Sequence, residues 1–97
     1  MPALWVANVH VTDPEAYGKY AKIATEAIEG HGGRFIHRAG RYVQLEGRER
    51  PRNVVAHFPS VEAAEACYNS DLYKEALKFS EGASERDVVV LEITDLP

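Results

Sequence analysis

The chain has 97 residues, 45% of them apolar, with a formal net charge of −4. That length holds one hydrophobic core, so a single domain over 1–97 is expected. The acidic balance and the absence of any long run of like charges argue against nucleic acid or a membrane surface as partner. One cysteine, Cys67, can form no internal disulfide, and no apolar stretch reaches the roughly 20 residues a membrane helix needs. With no basic-then-apolar leader at the N-terminus, a soluble cytoplasmic protein is the expectation.

Ala3 to Val11 is rich in β-branched and aromatic residues and reads as a strand. Its odd positions Trp5, Ala7, Val9 and Val11 are apolar, whereas the even positions pass from Leu4 and Val6 to Asn8 and His10. The odd face should therefore meet helices. Asp13 as cap, Pro14 in the first turn and Glu15 at the positive end start a helix that runs to about Glu29. Tyr17, Tyr20, Ala21, Ala24, Ala27 and Ile28 form its apolar stripe, and Gly30 to Gly33 end it.

Gly32 to Phe58 reads as a β-hairpin, with arms Arg34–Glu46 and Arg52–Phe58 joined by a loop, Arg48 to Pro51. Matching apolar faces pairs Gly47 with Arg52 and sets Tyr42 opposite His57, with Gly40 a candidate bulge. Ser60 caps a second helix carrying Ala63, Ala64, Cys67 and Tyr68, which Asn69-Ser70-Asp71 interrupts. A further helical segment covers about Leu72 to Phe79. Glu81 to Glu85 reads as loop and Asp87 to Ile93 as the last strand, apolar enough for both faces to be covered.

The order is β-α-β-β-α-β. Right-handed crossovers separate the strands of each unit and interleave the two units. The expected fold class is α+β, a ferredoxin-like antiparallel four-stranded sheet with the helices on one face. The other face would carry Leu4, Val6, Val55, Val88 and Val90, which is too much apolar surface to stay wet. A homodimer through the sheet faces follows, a dimeric α/β barrel. Its cleft would be lined by Asn8, His10, Arg38, Tyr42 and His57.

Those residues suggest several chemistries. His10 and His57 are candidates for a general base and its helper, since imidazole titrates near neutrality, against the plainer reading of two hydrogen-bonded cavity histidines. Arg38 is a candidate fork for a ligand carboxylate, against a salt bridge to Glu92 or the partner chain. Tyr42 and Tyr73 are candidates for an aromatic, hydroxyl-bearing wall, with core packing the competing role for Tyr73 and the better one for Tyr68. A metal site from His10, His37 and His57 is not expected: His37 falls on the other face in this register and nothing completes a ligand set. No cofactor is expected either. Cys67 reads as a small core residue, and the glycines at 30–33 as a turn rather than a phosphate loop.

Taken together, Thr12-Asp13-Pro14 with Tyr17 and Tyr20, Gly32-Gly33 with Arg38, Glu46-Gly47, Phe58-Pro59-Ser60, Tyr68-Asn69-Ser70-Asp71-Leu72-Tyr73 and Arg86-Asp87 resemble the domain of unknown function 1330 family of the dimeric α/β-barrel superfamily. The resemblance spans nearly the whole chain. It implies the ferredoxin-like fold and a face-to-face dimer, and carries no activity with it. Three positions depart from the pattern: His57 where the family usually has glutamate, Ser80 where it has arginine, and Cys67 where tryptophan is frequent. Losing both members of a glutamate–arginine pair avoids leaving one buried charge alone.

Two functions are compatible with this reading. One is a homodimer binding a small aromatic or anionic molecule between its sheets. The other is a cofactor-independent monooxygenase or isomerase using a cleft histidine, a reading that rests on fold analogy. A third possibility is a structural dimer whose cavity is filled by its own side chains.

Overall fold

The computed structural model describes residues 1–95. Its elements are β1 (Ala3–Val11), α1 (Pro14–Gly30), β2 (Arg34–Arg38), β3 (Arg52–Phe58), α2 (Val61–Tyr68), α3 (Asp71–Ser80) and β4 (Ser84–Glu92). The strands form one antiparallel sheet in the order β2-β3-β1-β4, the ferredoxin-like arrangement expected from two interleaved β-α-β units.

Each helix starts where a short polar side chain can take an orphan backbone N–H. Asp13 accepts from Ala16 at 3.2 Å, Ser60 from Ala63 at 3.0 Å and Ser70 from Tyr73 at 3.2 Å. Each such cap contributes about 1 kcal/mol. Ser70 also donates to the Cys67 carbonyl at 2.6 Å, so one hydroxyl ends α2 and begins α3. At the end of α1 the chain turns through Gly32, whose φ of +84° suits glycine.

The core lies between the helices and one face of the sheet. Trp5, Ala7 and Val9 of β1, Ala56 and Phe58 of β3, and Tyr17, Tyr20, Ala24, Ala27 and Ile28 of α1 are all buried. Trp5 stacks on Phe58 with ring centroids 5.8 Å apart and meets Tyr73 edge-on at 5.2 Å. Truncating either Trp5 or Phe58 to alanine is a loss of about 3–5 kcal/mol. Cys67 is buried among these groups, and burial pushes its thiol up to about 11.

Two expectations are corrected. The first arm of the hairpin does not extend to Glu46: β2 ends at Arg38, and the connection to β3 runs irregularly from Ala39 to Pro51. Ala39 adopts φ +56°, the left-handed region, and donates its N–H to the Asn53 carbonyl at 2.8 Å, which turns the chain off the sheet. The alternating Val43 and Leu45 that suggested a strand are exposed loop residues, 68% and 88% accessible. Consequently His57 pairs with Arg34, not with Tyr42.

A bulge lies at Ile36 rather than Gly40: Phe35 pairs with Ala56 and His37 with Val55, leaving Ile36 extra. The inserted residue reverses the alternation beyond it. His37 therefore shares the open face with Val55 and His57, while Arg38, opposite Val54, turns toward the helices.

The open face also differs at β4. Val88 pairs with Ala7 and Val90 with Trp5, so both face the helices. Val89 and Leu91, opposite Val6 and Leu4, are the outward residues, 49% and 51% accessible. The open face is thus apolar through Leu4, Val6, Val55, Val89 and Leu91. Farther along, Asn8 donates to Asn53 at 2.7 Å, and Arg50 reaches over to Asp87 at 2.8 Å.

Candidate functional site

Beneath α1 the helix-side face of the sheet carries three arginines. Arg38 comes from the end of β2, Arg52 from the start of β3 and Arg86 from β4, where it pairs with buried Val9. Alternation explains Arg52 and Arg86: each continues the apolar set of its own strand, Val54-Ala56-Phe58 and Val88-Val90. All three line a narrow slot of about 30 Å³ walled by Trp5, Tyr17, Tyr20, Thr25 and Phe35.

Each guanidinium is held by an aromatic ring. Arg38 lies 4.2 Å from the Phe35 centroid and donates to the Thr25 hydroxyl. Arg52 lies 5.4 Å from the Tyr17 ring, and Arg86 lies 4.5 Å from the Tyr20 ring. Tyr17 and Tyr20 themselves approach to 4.8 Å, so Arg52, the two rings and Arg86 form one continuous series along the slot.

Behind it, the Tyr20 and Tyr73 hydroxyls are 2.6 Å apart, and Arg86 Nη2 donates to both, at 2.6 and 3.0 Å. Burial first, and the neighbouring phenol second, raise the Tyr20 pKa; burial is also the main reason the Tyr73 pKa is raised. Both phenols stay neutral. For Arg86, burial works against the charge, but the two phenol oxygens outweigh it and the pKa lies above its ordinary value.

Beside the slot lies a larger, open chamber of about 400 Å³, sharing Tyr17, Ala21 and Arg52 with it. His10, Val11, Pro14 and Gly18 form the rest of its wall, and Ala39 and Pro51 of the long connection form its rim. A third cavity, of about 380 Å³, lies between α2 and β4, lined by Trp5, Glu65, Tyr68, Asn69, Arg86, Val88 and Val90. Chamber and groove are both of a size that takes small organic molecules.

The residues expected to share a cleft are dispersed. Asn8 and His57 lie on the open face, Asn8 engaged with Asn53 and His57 half-buried beside Leu4 and Arg34. His10, exposed near the end of β1, is on the wall of the helix-side chamber. Arg38 is in the slot. Tyr42 is exposed in the connection, donating to Glu49 at 3.1 Å, because the strand that was to present it does not form. Tyr73 is fully buried in the core, so its hydroxyl serves Tyr20 and Arg86 rather than a cleft. Arg52, Arg86, Tyr17 and Tyr20 were not singled out as site residues: the alternation of β3 sets Arg52 with the inward Val54, but β4 was expected to turn Val88 and Val90 outward, which put Arg86 on the wrong side. Among the described residues no three His, Cys, Asp or Glu side chains gather as a metal-binding group, and no helix is long and apolar enough to cross a membrane.

Solved structures with the same fold include a protein of unknown function, RPA0582, from Rhodopseudomonas palustris. It is 20% identical, with a TM-score of 0.79 and coverage of 98% of this chain and 84% of that one. A dimeric ferredoxin-like protein of unknown function from Jannaschia is 13% identical, with a TM-score of 0.67 and coverage of 96% and 100%. SnoaB, a cofactor-independent oxygenase from Streptomyces nogalater, is 11% identical, with a TM-score of 0.65 and coverage of 98% and 95%. At these identities the likeness is one of fold. Curated proteins offer no significant sequence match. The family model described as Domain of unknown function (DUF1330) matches residues 2–94, and the chain belongs to that family.

Proposed function

We propose that the protein is a homodimer that binds a small aromatic or anionic organic molecule, and that the molecule enters the helix-side chamber of each subunit rather than a cleft between sheets. The observation that carries this is the junction of a ligand-sized chamber with a slot lined by three arginines, within one subunit. The open face supports the dimer: Leu4, Val6, Val55, Val89 and Leu91 are continuous across three strands, and neighbours of the same fold are described as dimeric. Sheet-to-sheet packing of that patch leaves the chamber, on the opposite side, free to admit ligand.

Thermal-shift screening of small aromatic acids, amides and quinones tests the binding reading. A ligand that favours the folded state raises the melting temperature with concentration, by an amount set by its affinity. Filling the chamber with Gly18→Trp should remove every such shift while the protein stays folded. Shifts that survive that substitution would place the ligand elsewhere.

A second reading, a cofactor-independent oxygenase or isomerase, has one residue to rest on: His10, which borders the chamber at the end of β1 and whose imidazole could take a proton from a bound substrate if it turned inward from the face it shares with Asn8. His57 pairs with Leu4 at the far end of β1 and is not positioned to assist in the same subunit. The reading predicts turnover of a chamber ligand, followed by oxygen uptake or product formation, that His10→Ala abolishes without weakening binding more than a few-fold.

A further inference from the structure

We infer that the chamber's ligand is a carboxylic acid with a compact apolar body, its carboxylate seated in the slot against Arg52, Arg86 and Arg38. This deepens the proposal that the chamber binds a small molecule and rests on it. The first argument is charge. The chain as a whole is acidic, at −4, yet the residues lining slot and chamber include three arginines and no aspartate or glutamate. A local excess of cations in a low-dielectric wall draws an anion.

The second argument is the balance of donors and acceptors. Nε of Arg52 and Nε of Arg86 are buried and have no acceptor among the described residues. The Tyr20–Tyr73 pair holds two hydroxyl protons and uses one between them; with Tyr73 as donor, the proton of Tyr20, which lines the slot, remains to be given. Arg86 supplies both phenols with donated hydrogen bonds and takes none. Two guanidinium N–H groups beside the slot are thus without an acceptor, and a group that only accepts satisfies them once the side chains turn toward it.

The third argument is shape. The guanidinium carbons of Arg38 and Arg52 lie over the Phe35 and Tyr17 rings, and beyond the Arg38–Thr25 bond their remaining N–H groups can turn to a ligand. A guanidinium edge presents the planar fork that matches a carboxylate. The slot's 30 Å³ holds about two water molecules, enough for a carboxylate and too little for a ring, whereas the 400 Å³ chamber takes the ring or alkyl body. A tetrahedral phosphate head, with its third oxygen, needs more of the slot's 30 Å³ than a planar carboxylate does.

Calorimetric titration of the intact protein with benzoate, phenylacetate and cinnamate, with their primary amides, and with phenyl phosphate is the test. At least one acid should bind ten-fold or more tightly than both its amide and phenyl phosphate. Arg52→Gln should reduce that acid's affinity at least ten-fold while leaving the amide's unchanged, and Arg38→Gln, altering an exposed side chain, should act in the same direction if Arg52→Gln compromises folding. Amides that bind as well as acids, or acid binding indifferent to both substitutions, would overturn the carboxylate assignment and leave the chamber reading standing. Tighter binding of phenyl phosphate would overturn it in favour of a phosphate ester. If acids and amides all fail to bind, the chamber reading falls and the assignment falls with it.

Discussion

The hydroxyl of Tyr20 on α1 meets the hydroxyl of Tyr73 on α3 at 2.6 Å inside the core, and the two share one donor, Arg86 Nη2. Two kinds of hydrogen bond compete in what this cluster is worth. A neutral phenol pair contributes about 1 kcal/mol, and bonds to a charged group about 1.5–3 kcal/mol each. Tyr20→Phe or Tyr73→Phe alone removes the pair's bond and one of the two bonds to Arg86, and should cost about 2.5–4 kcal/mol in urea unfolding. The double variant strips a buried guanidinium of both acceptors, so its loss should exceed the sum of the single losses by about 1 kcal/mol. A loss smaller than the sum would mean that the phenols chiefly stabilise each other.

Stability should also fall at alkaline pH. Burial lifts Cys67 from its ordinary 9.0 to about 11 and lifts both Tyr20 and Tyr73, so the folded chain keeps protons that the unfolded chain surrenders. The stabilisation is complete below pH 9, the unfolded thiol's value, and is lost as pH rises toward about 11, with the phenols following. The thiol's share is up to ~2 kcal/mol. Urea midpoints measured across this range should decline, and Cys67→Ala should delay the onset of the decline. A midpoint flat to pH 11 would contradict the burial of these groups.

Gly33 admits no side chain. A Cβ there would come within 2.5 Å of Ile28 Cγ2, 2.8 Å of the Ile28 carbonyl oxygen and 2.8 Å of Phe58 Cζ. Two of the three obstacles are core side chains and one is backbone, so the strain cannot be relieved by one rotamer. Gly33→Ala should cost about 2–3 kcal/mol. In a chain of this size that is a drop of roughly 10–20 °C in melting temperature. A drop of only a degree or two would show that α1 can shift away from β3.

The dimer is tested at Val89 and Leu91 of β4, the most exposed members of the patch formed with Leu4, Val6 and Val55. Light scattering of the wild type at micromolar concentration should give twice the chain mass. Val89→Asp and Leu91→Asp, each placing an uncompensated charge in an apolar contact, should give a folded monomer. A wild-type monomer would remove the dimer from the proposed function while leaving the chamber untouched.

The backbone order was readable from residues because its signals are local. Asp13, Ser60 and Ser70 mark helix starts, and β1 begins and ends where its β-branched run does. The inner face of β1 was equally plain, since strict alternation from Ala3 to Val9 meets the helices. What could not be read was partner choice. Val43 and Leu45 alternate like strand residues, but a strand needs a hydrogen-bonded neighbour, and the Ala39 turn removes theirs. At β4 both sets, Val88-Val90 and Val89-Leu91, are apolar, so composition did not say which faces in. That ambiguity concealed Arg86, and with it the slot.

Ile36 carries the largest consequence for so small a feature. Without the extra residue, β2 would be an ordinary alternating strand whose odd and even members kept the sides they began on. With it, the parity of the strand changes midway, and Arg38 is delivered to the helix side while His37 joins Val55 and His57 outside. One inserted position thus lets a five-residue strand put Phe35 and Arg38 on the helix side and Arg34 and His37 on the open face. Deleting Ile36 would leave His37 opposite Val55 and Arg38 opposite Val54, whereas closing the bulge with Ile36 retained would set Ile36 opposite Val55 and His37 opposite Val54, exchanging their sides.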